Sequence, residues 1–436
     1  MISYEMMRFQ AFRSSMVSKL AVSTHRFNTR GLASAQVDQL LSRERITKVE
    51  ELGDEQAVGV TFEDGAVAKF HKFWLRDHCY CENCRHPTTR QRQVDTASIP
   101  TDPPLHCLSV TNAGGMLGIE WDAPVRGTSC VASHFEAKWL RTHAYALERG
   151  DAKDVATKPY PKDYCQPRLT TKKLWAGNDL KLPTHDYKKC MDEMEPLMRD
   201  LYTYGLVRVS NTPTSTEATE KFATNIGFVL RTIYGTMWTT NPTKETEDYN
   251  DTAATNVELL PHTDGTYIRD PPGLQIFNCV AQAGDGGESR YVDSFYVAET
   301  LRSEDLDAFR VLSTTPLPYF TVDKDAYLAT METLIRVDYV GNIVQFRHND
   351  YDRAPLTHLS FNQVSEFYQA HHKLIAIMRR PEMEFSTKLQ VGEMIVVDNQ
   401  RVMHGRYAFQ SGGRALIGCY IGQTEYESRL RVLNII

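Results

Sequence analysis

The chain contains no apolar run near the roughly 18–20 residues that a membrane-crossing helix requires, so no segment reads as a span. It has no excess of positive charge: 49 Lys and Arg stand against 55 Asp and Glu, a net charge of −6. A phosphate backbone is held by a basic face, so nucleic acid is excluded as the expected partner. An evenly paired cysteine framework is also missing, because the nine cysteines are odd in number. Three of them crowd into Cys79-Tyr80-Cys81-Glu82-Asn83-Cys84, which suits metal ligation in a reducing compartment better than secreted disulfides. Internal repeats and low-complexity tracts are absent as well. What is present is the make-up of an ordinary soluble intracellular enzyme, 42% hydrophobic and 10% aromatic. Its 436 residues allow two domains, or one large domain with an appendage.

Acids are scarce in the first thirty residues, where Glu5 is alone against Arg8, Arg13, Lys19, Arg26 and Arg30. Serines and apolar residues interleave with the basic ones, and no continuous hydrophobic signal core appears. That is the composition of a mitochondrial presequence, expected over residues 1–36, with the mature protein in the matrix.

Downstream, a strand-like stretch runs from Val58 to Phe73, broken by the turn Glu63-Asp64-Gly65. A second hairpin-like unit spans Met116 to Trp121 and then CVASHFEAKWL. Together they predict a small β-rich N-terminal domain over 37–155. Residues 156–182 mix proline, glycine and charge without a period and read as an irregular connection. From 183 to 436 the pattern changes. Helices are expected over Tyr187 to Tyr204 and Thr216 to Phe228, with LVRV as a short strand between them. The runs LQIFNCV, ESRYVD, IRVDY, NIVQFRH, EMIVVD and ALIGCYIG read as strands, interrupted by one clear helix from Phe361 to Met378. Many short strands with an inserted helix predict an antiparallel barrel or jelly roll.

The chemistry is concentrated in Leu260-Pro261-His262-Thr263-Asp264-Gly265. On a strand, residues i and i+2 share a face, so His262 and Asp264 can reach one metal. His404, a short turn beyond EMIVVD, is placed to supply a third ligand. Two histidines and a carboxylate form the facial triad of non-haem Fe(II), with three open positions. Two of those suit a bidentate 2-oxo acid and one suits dioxygen. The distal carboxylate of 2-oxoglutarate calls for a guanidinium fork. Arg414, ten residues after His404 at the start of ALIGCYIG, is the expected anchor, with Arg406 the nearer but less well spaced alternative.

With these residues in place, the chain from about Val58 onward resembles the gamma-butyrobetaine dioxygenase and trimethyllysine dioxygenase family, the hydroxylases of carnitine biosynthesis. The resemblance rests on WLRDHC, DTAS, LRTIYGTMW, PHTDGTY, PPGLQIFNC, NDYDRA, VDNQRVMHGR and GCY. It implies a double-stranded β-helix oxygenase domain, a small N-terminal zinc domain, Fe(II), 2-oxoglutarate and O2, with ascorbate as reductant. It also implies a trimethylammonium substrate and a homodimer.

Under that resemblance Cys79, Cys81 and Cys84 become three of four Zn(II) ligands. The family's fourth ligand is a histidine where this chain has Val131; Cys130 is the first choice to replace it, His134 the second, and His86 a local competitor. Tyr234, Trp238 and Tyr420 match positions of an aromatic cage, which holds a quaternary ammonium by cation–π attraction. A fourth cage tyrosine is replaced here by Ala254. Outside this family context, such aromatics would be core residues. At the substrate's other end, Asn349 matches a polar contact, and Asp251 stands where butyrobetaine enzymes carry asparagine. A carboxylate there favours an α-ammonium, which trimethyllysine has and butyrobetaine lacks. The implied reaction is therefore 3-hydroxylation of trimethyllysine, with butyrobetaine or another small amine or acid as the alternative substrate. The middle cysteine, Cys81, is the feature more typical of butyrobetaine enzymes. Two rivals of other classes, an oxygenase fold without catalysis and a zinc-dependent nucleic-acid binder, meet the intact His262, Asp264, His404 and Arg414 and the acidic balance, respectively.

Overall fold

The computed structural model describes residues 45–145, 147–148, 171–240, 252–282, 284–323, 325–339, 341–410 and 413–436. The expected presequence, Asp251 and most of the expected connection lie outside the described residues. The chain divides into two compact units, Met1–Asp163 and Tyr164–Ile436.

In the first unit, the strands Ile46–Leu52, Ala57–Phe62, Val67–His71 and Leu147–Glu148 form one sheet. Leu105–Thr111, Met116–Trp121 and Ala132–Glu136 form another. Val58, Val60, Phe62, Ala68 and Phe70 meet Leu117, Ile119, Trp121 and Phe135 in a shared core. Gly65 turns the first hairpin with φ +79, a conformation that costs glycine little, and Asp64 Oδ1 accepts from the Ala66 N–H (3.1 Å). The short helix Lys72–Asp77 then delivers the chain to the cysteine cluster.

The second unit is a jelly roll of two facing sheets. The larger runs in the order Trp238–Thr240, Ala415–Ile421, Leu274–Ala281, Met394–Asp398, Leu206–Ser210, Thr184–Asp186. The smaller runs Leu259–His262, Val402–Arg406, Ser289–Asp293, Glu384–Thr387. Ile395, Val397, Cys279 and Leu416 of the larger sheet pack on Tyr291 and Val402 of the smaller. The alternate residues Met394, Val396, Ile276, Cys419 and Ile421 point the other way, under the helices Glu195–Tyr204, Thr216–Ile226 and Gln423–Val432. Met394–Asp398 is thus covered on both faces, which is why it reads as a continuous apolar run instead of an alternation. On the outer face of the smaller sheet, Val292 and Met403 pack with the helices Ser294–Glu304, Leu306–Thr314 and Phe361–Met378.

Two expectations change in detail. The helix from 187 to 204 is two, Tyr187–Asp192 and Glu195–Tyr204, because Pro196 fits only the first turn of a helix and Glu193 is extended at φ −144. The strand region also holds more helix than the one expected: Ser294–Glu304 and Leu306–Thr314 are each started by an aspartate cap, Asp293 and Asp305. A further hairpin, Pro316–Asp323 with Ala326–Thr333, lies after them. No helix among the described residues is long and apolar enough to cross a membrane.

Candidate active site

His262 is the last residue of its strand and is paired in register with His404 on the neighbouring strand Val402–Arg406. This register sets the two imidazoles together, with ring centroids 4.7 Å apart. Both address one carboxylate oxygen: Asp264 Oδ1 lies 3.2 Å from His262 Nε2 and 3.7 Å from His404 Nε2. Adjacent ligands bonded at about 2.1 Å to a single ion sit about 3 Å apart, so a small closure completes the set.

The surrounding polar groups orient these donors. His262 Nδ1–H donates to the Leu260 carbonyl (2.7 Å), which turns Nε2 toward Asp264. The second oxygen of Asp264 accepts from Tyr420 Oη (2.7 Å) and Gln275 Nε2 (2.5 Å). Asn399 holds the backbone on both sides: its Oδ1 accepts from Asp264 N–H (2.8 Å) and its Nδ2 donates to Asp264 O (3.1 Å). Burial works to raise the Asp264 carboxyl, yet His404, His262 and the Tyr420 hydroxyl outweigh it and hold the group well below the usual carboxylate range. Burial pushes His404 down to about 4 against the opposing pull of Asp264, so this imidazole is neutral at pH 7 and ready to ligate. For His262 burial acts downward too, but Asp264 and the Leu260 carbonyl reverse the sign and raise it. A metal must therefore displace a proton from His262 more than from His404.

The three donors open on a cavity of about 1020 Å³ that also receives Arg414, Tyr234, Trp238, Tyr420 and Asn349. Arg414 is buried, with one nitrogen 3.4 Å from Ser289 Oγ, and burial lowers its affinity for a proton while Tyr291 and Cys279 oppose that. Arg406 is engaged elsewhere, donating to the carbonyls of Ala253 (2.8 Å), Thr252 (3.2 Å) and Thr255. Trp238 lies against Tyr420 at 5.6 Å and edge-on to Phe277 at 5.7 Å. Its indole covers Gly418 of the next strand so closely that a Cβ there would collide with the six-membered ring. Tyr234 Oη is 3.2 Å from Tyr267 Oη. Asn349 donates to Asp352 Oδ2 (2.9 Å) and accepts from Tyr351 N–H (3.0 Å), so its amide is fixed at the cavity wall.

Gln275, Asn399 and Tyr267 were not anticipated. Gln275 left one sign, as one of two amides with Asn278 in the otherwise apolar strand LQIFNCV, and Tyr267 lies inside the motif PHTDGTY. Asn399 lies inside VDNQRVMHGR, but it acts on the backbone groups of Asp264 and Pro272, 135 and 127 residues away, which no local pattern records.

In the first unit, the sulfurs of Cys79, Cys81, Cys84 and Cys130 all lie within 4.8 Å of one another, with Cys79 and Cys130 at 3.9 Å. Tetrahedral thiolates at about 2.3 Å from one ion are about 3.8 Å apart. Cys130 and Cys79 hold the Cys84 thiol well below its usual range, aided by Thr128 and the buried Arg76. Val131 is exposed at 47%, so the chain turns the preceding residue inward instead. His134 is exposed on its strand, and His86 accepts from the N–H groups of Thr88 (3.3 Å) and Thr89 (3.1 Å); neither joins the cluster.

A model of the taurine catabolism dioxygenase TauD, TfdA family matches residues 169–420, and a gamma-butyrobetaine hydroxylase-like N-terminal model matches 49–141. The chain belongs to this TauD/TfdA family of 2-oxoglutarate-dependent dioxygenases, and Fe(II) and 2-oxoglutarate are its cofactor and co-substrate. Within the family it is similar to the trimethyllysine dioxygenase of Meyerozyma guilliermondii, 30% identical over 88% of this chain and 94% of that one. The mitochondrial trimethyllysine dioxygenase of Rattus norvegicus is 32% identical over 85% of this chain and 84% of its own. The gamma-butyrobetaine dioxygenase of a Pseudomonas species is 31% identical over 86% of this chain and 94% of its own.

If Arg414 anchors the co-substrate, Arg414→Met raises the KM for 2-oxoglutarate by about ten- to a hundredfold, the worth of a charge-assisted hydrogen bond. Steady-state succinate formation at varied 2-oxoglutarate measures it, and an unchanged KM would move the anchor elsewhere.

Proposed function

We propose that the protein hydroxylates carbon 3 of N6,N6,N6-trimethyllysine, with His262, Asp264 and His404 as the iron ligands. The observation that carries this reading is a single cavity bounded by the Asp264-centred donors, the Arg414 guanidinium and the aromatic faces of Tyr234, Trp238 and Tyr420. Iron, dioxygen and 2-oxoglutarate supply the oxidising power, with succinate and carbon dioxide as co-products. The chain's own residues orient and exclude water. Arg414 holds the distal carboxylate of the co-substrate. Tyr420 and Gln275 fix the rotation of Asp264, so that its other oxygen faces the histidines. Tyr234, Trp238 and Tyr420 present ring faces to the trimethylammonium, which has no N–H to donate. Tyr267, hydrogen-bonded to Tyr234, adds an aromatic to that wall. Asn349 receives the amino-acid end together with Asp251, which gives the preference for an α-ammonium.

The test is a substrate panel with iron, ascorbate and 2-oxoglutarate, read by mass spectrometry. Trimethyllysine should gain one oxygen at carbon 3 more efficiently than butyrobetaine is hydroxylated, and Asp251→Asn should narrow the gap. Equal or faster turnover of butyrobetaine would assign the protein to the final step of carnitine formation instead.

The same reading includes a structural zinc in the domain spanning 37–155, held by Cys79, Cys81, Cys84 and Cys130. It also includes a presequence over 1–36, a mitochondrial matrix location and a homodimer. Cys130→Ala should lose one zinc per chain relative to wild type by elemental analysis and melt at lower temperature, since a closed site contributes directly to folding. Retention in Cys130→Ala with loss in His134→Ala would reassign the fourth position.

A further inference from the structure

The oxygenase unit contains a second His-x-Asp step, and the fold sets it beside the first. His262-Thr263-Asp264 closes the strand Leu259–His262, and His348-Asn349-Asp350 follows the strand Ile343–Phe346. The two segments are joined through Thr263. Its N–H donates to the His348 carbonyl (2.8 Å), and its Oγ1 accepts from the His348 N–H (3.0 Å). As with the first step, a distant histidine completes the group, here His371 from the helix Phe361–Met378. The ligand atoms of His348, Asp350 and His371 all lie within 4.8 Å of one another.

We propose that His348, Asp350 and His371 form a second divalent-metal site, of Zn(II) type, coupled to the iron-ligand loop through Thr263. Both imidazoles are 5% exposed, and His371 Nε2 is a buried nitrogen whose contact with Asp350 falls short of good hydrogen-bond geometry. That nitrogen stands 3.3 Å from Asp350 Oδ1. The edge of a tetrahedron with bonds of about 2.0–2.1 Å is about 3.3–3.4 Å, so this pair already has ligand spacing. Two imidazoles and one carboxylate suit zinc better than calcium or magnesium, which favour oxygen donors. The Asp350 side chain is 44% exposed, which gives the ion an entry path and leaves room for a water in the fourth position.

The competing partner is Arg353, whose Nε is 3.2 Å from the same Asp350 oxygen. Arg353 has other supports: Tyr368 Oη at 3.3 Å and the rings of Phe367 and Tyr368 at 5.6 and 5.5 Å. It can therefore release the carboxylate without losing its seat. The rival state is His371 paired with Asp350 beside Arg353, with no metal.

The experiment uses the full chain as wild type, Asp350→Asn, His371→Ala, Asp264→Ala and Asp264→Ala/Asp350→Asn. Each is stripped with chelator, dialysed against micromolar Zn(II) and assayed for metal per chain and thermal midpoint. The iron ligands and the cysteine cluster also take zinc, so the count is read by difference. Asp350→Asn and His371→Ala should each bind one zinc fewer than wild type, and the double variant one fewer than Asp264→Ala. The zinc-dependent rise in midpoint should shrink in step. Asp350→Asn alters an exposed carboxylate and keeps the test valid if His371→Ala fails to fold. Equal zinc in Asp350→Asn and wild type, and in the double variant and Asp264→Ala, would overturn the proposal and leave an ion pair only.

Discussion

Replacing Asp264 by Ala should abolish coupled 2-oxoglutarate turnover while the protein still folds. Both Nε2 atoms converge on one oxygen of this side chain, and it is the only anionic member of the donor set. Groups that merely orient a metal ligand are typically worth about ten- to a hundredfold when removed. Tyr420→Phe and Gln275→Leu, which each delete one hydrogen bond to Asp264 Oδ2, should fall in that range. Loss of Asp264 itself should exceed it, as should loss of His262 or His404. Succinate formation and bound iron should fall together in Asp264→Ala, with circular dichroism unchanged. Wild-type turnover by Asp264→Ala would remove these residues from the chemistry.

Asp293→Ala should unfold the oxygenase unit far more readily, by about 3–5 kcal/mol, because it leaves the Arg401 guanidinium buried without its hydrogen-bonded carboxylate. The two side chains are 0% exposed and joined through Nη2–Oδ2 at 2.8 Å, with Nε–Oδ1 at 3.3 Å. Asp293 has a second role, since Oδ1 accepts from the N–H groups of Phe295 (3.1 Å) and Tyr296 (3.4 Å) and so caps the helix Ser294–Glu304. Loss of a cap adds about 1 kcal/mol. Arg401 also donates to the Thr203 carbonyl (2.9 Å), so one guanidinium ties together a helix end, a strand end and the turn before His404. Urea denaturation measures the loss. The double variant Asp293→Leu/Arg401→Met should recover part of it, because a buried pair replaced as a whole costs less than one broken in half. A loss below about 1 kcal/mol in Asp293→Ala would show that the pair is not what holds this junction.

The elements that could be read directly are those whose physics is local. The helix Phe361–Met378 has the expected bounds because Ser360 and Gln363 form a reciprocal cap at its start. The apolar run Met394–Asp398 is a strand because both its faces are covered. His262 and Asp264 were visible as a pair two residues apart, and His404 and Arg414 as residues after turns between strands. Groups whose role depends on a distant partner were not visible. Arg401 lies inside VDNQRVMHGR, but nothing local pairs it with Asp293, 108 residues away in sequence. Tyr420 was anticipated as a cage aromatic, yet its hydroxyl also steers Asp264, 156 residues away. The hairpin Pro316–Asp323/Ala326–Thr333 carries its weak alternation through two prolines and several half-exposed residues, which hid it.

The position under Trp238 has a consequence for redesign. Gly418 has no side chain, and the indole occupies the volume that one would need. The pocket's aromatic wall is therefore set from behind, by a residue that does not line the cavity. Enlarging residue 418 to alanine or serine would drive the indole forward and narrow the cavity, whereas shortening Trp238 would open it. Cavity size can thus be adjusted in either direction along one axis without altering His262, Asp264, His404 or Arg414, which makes residues 238 and 418 a natural pair for joint randomisation.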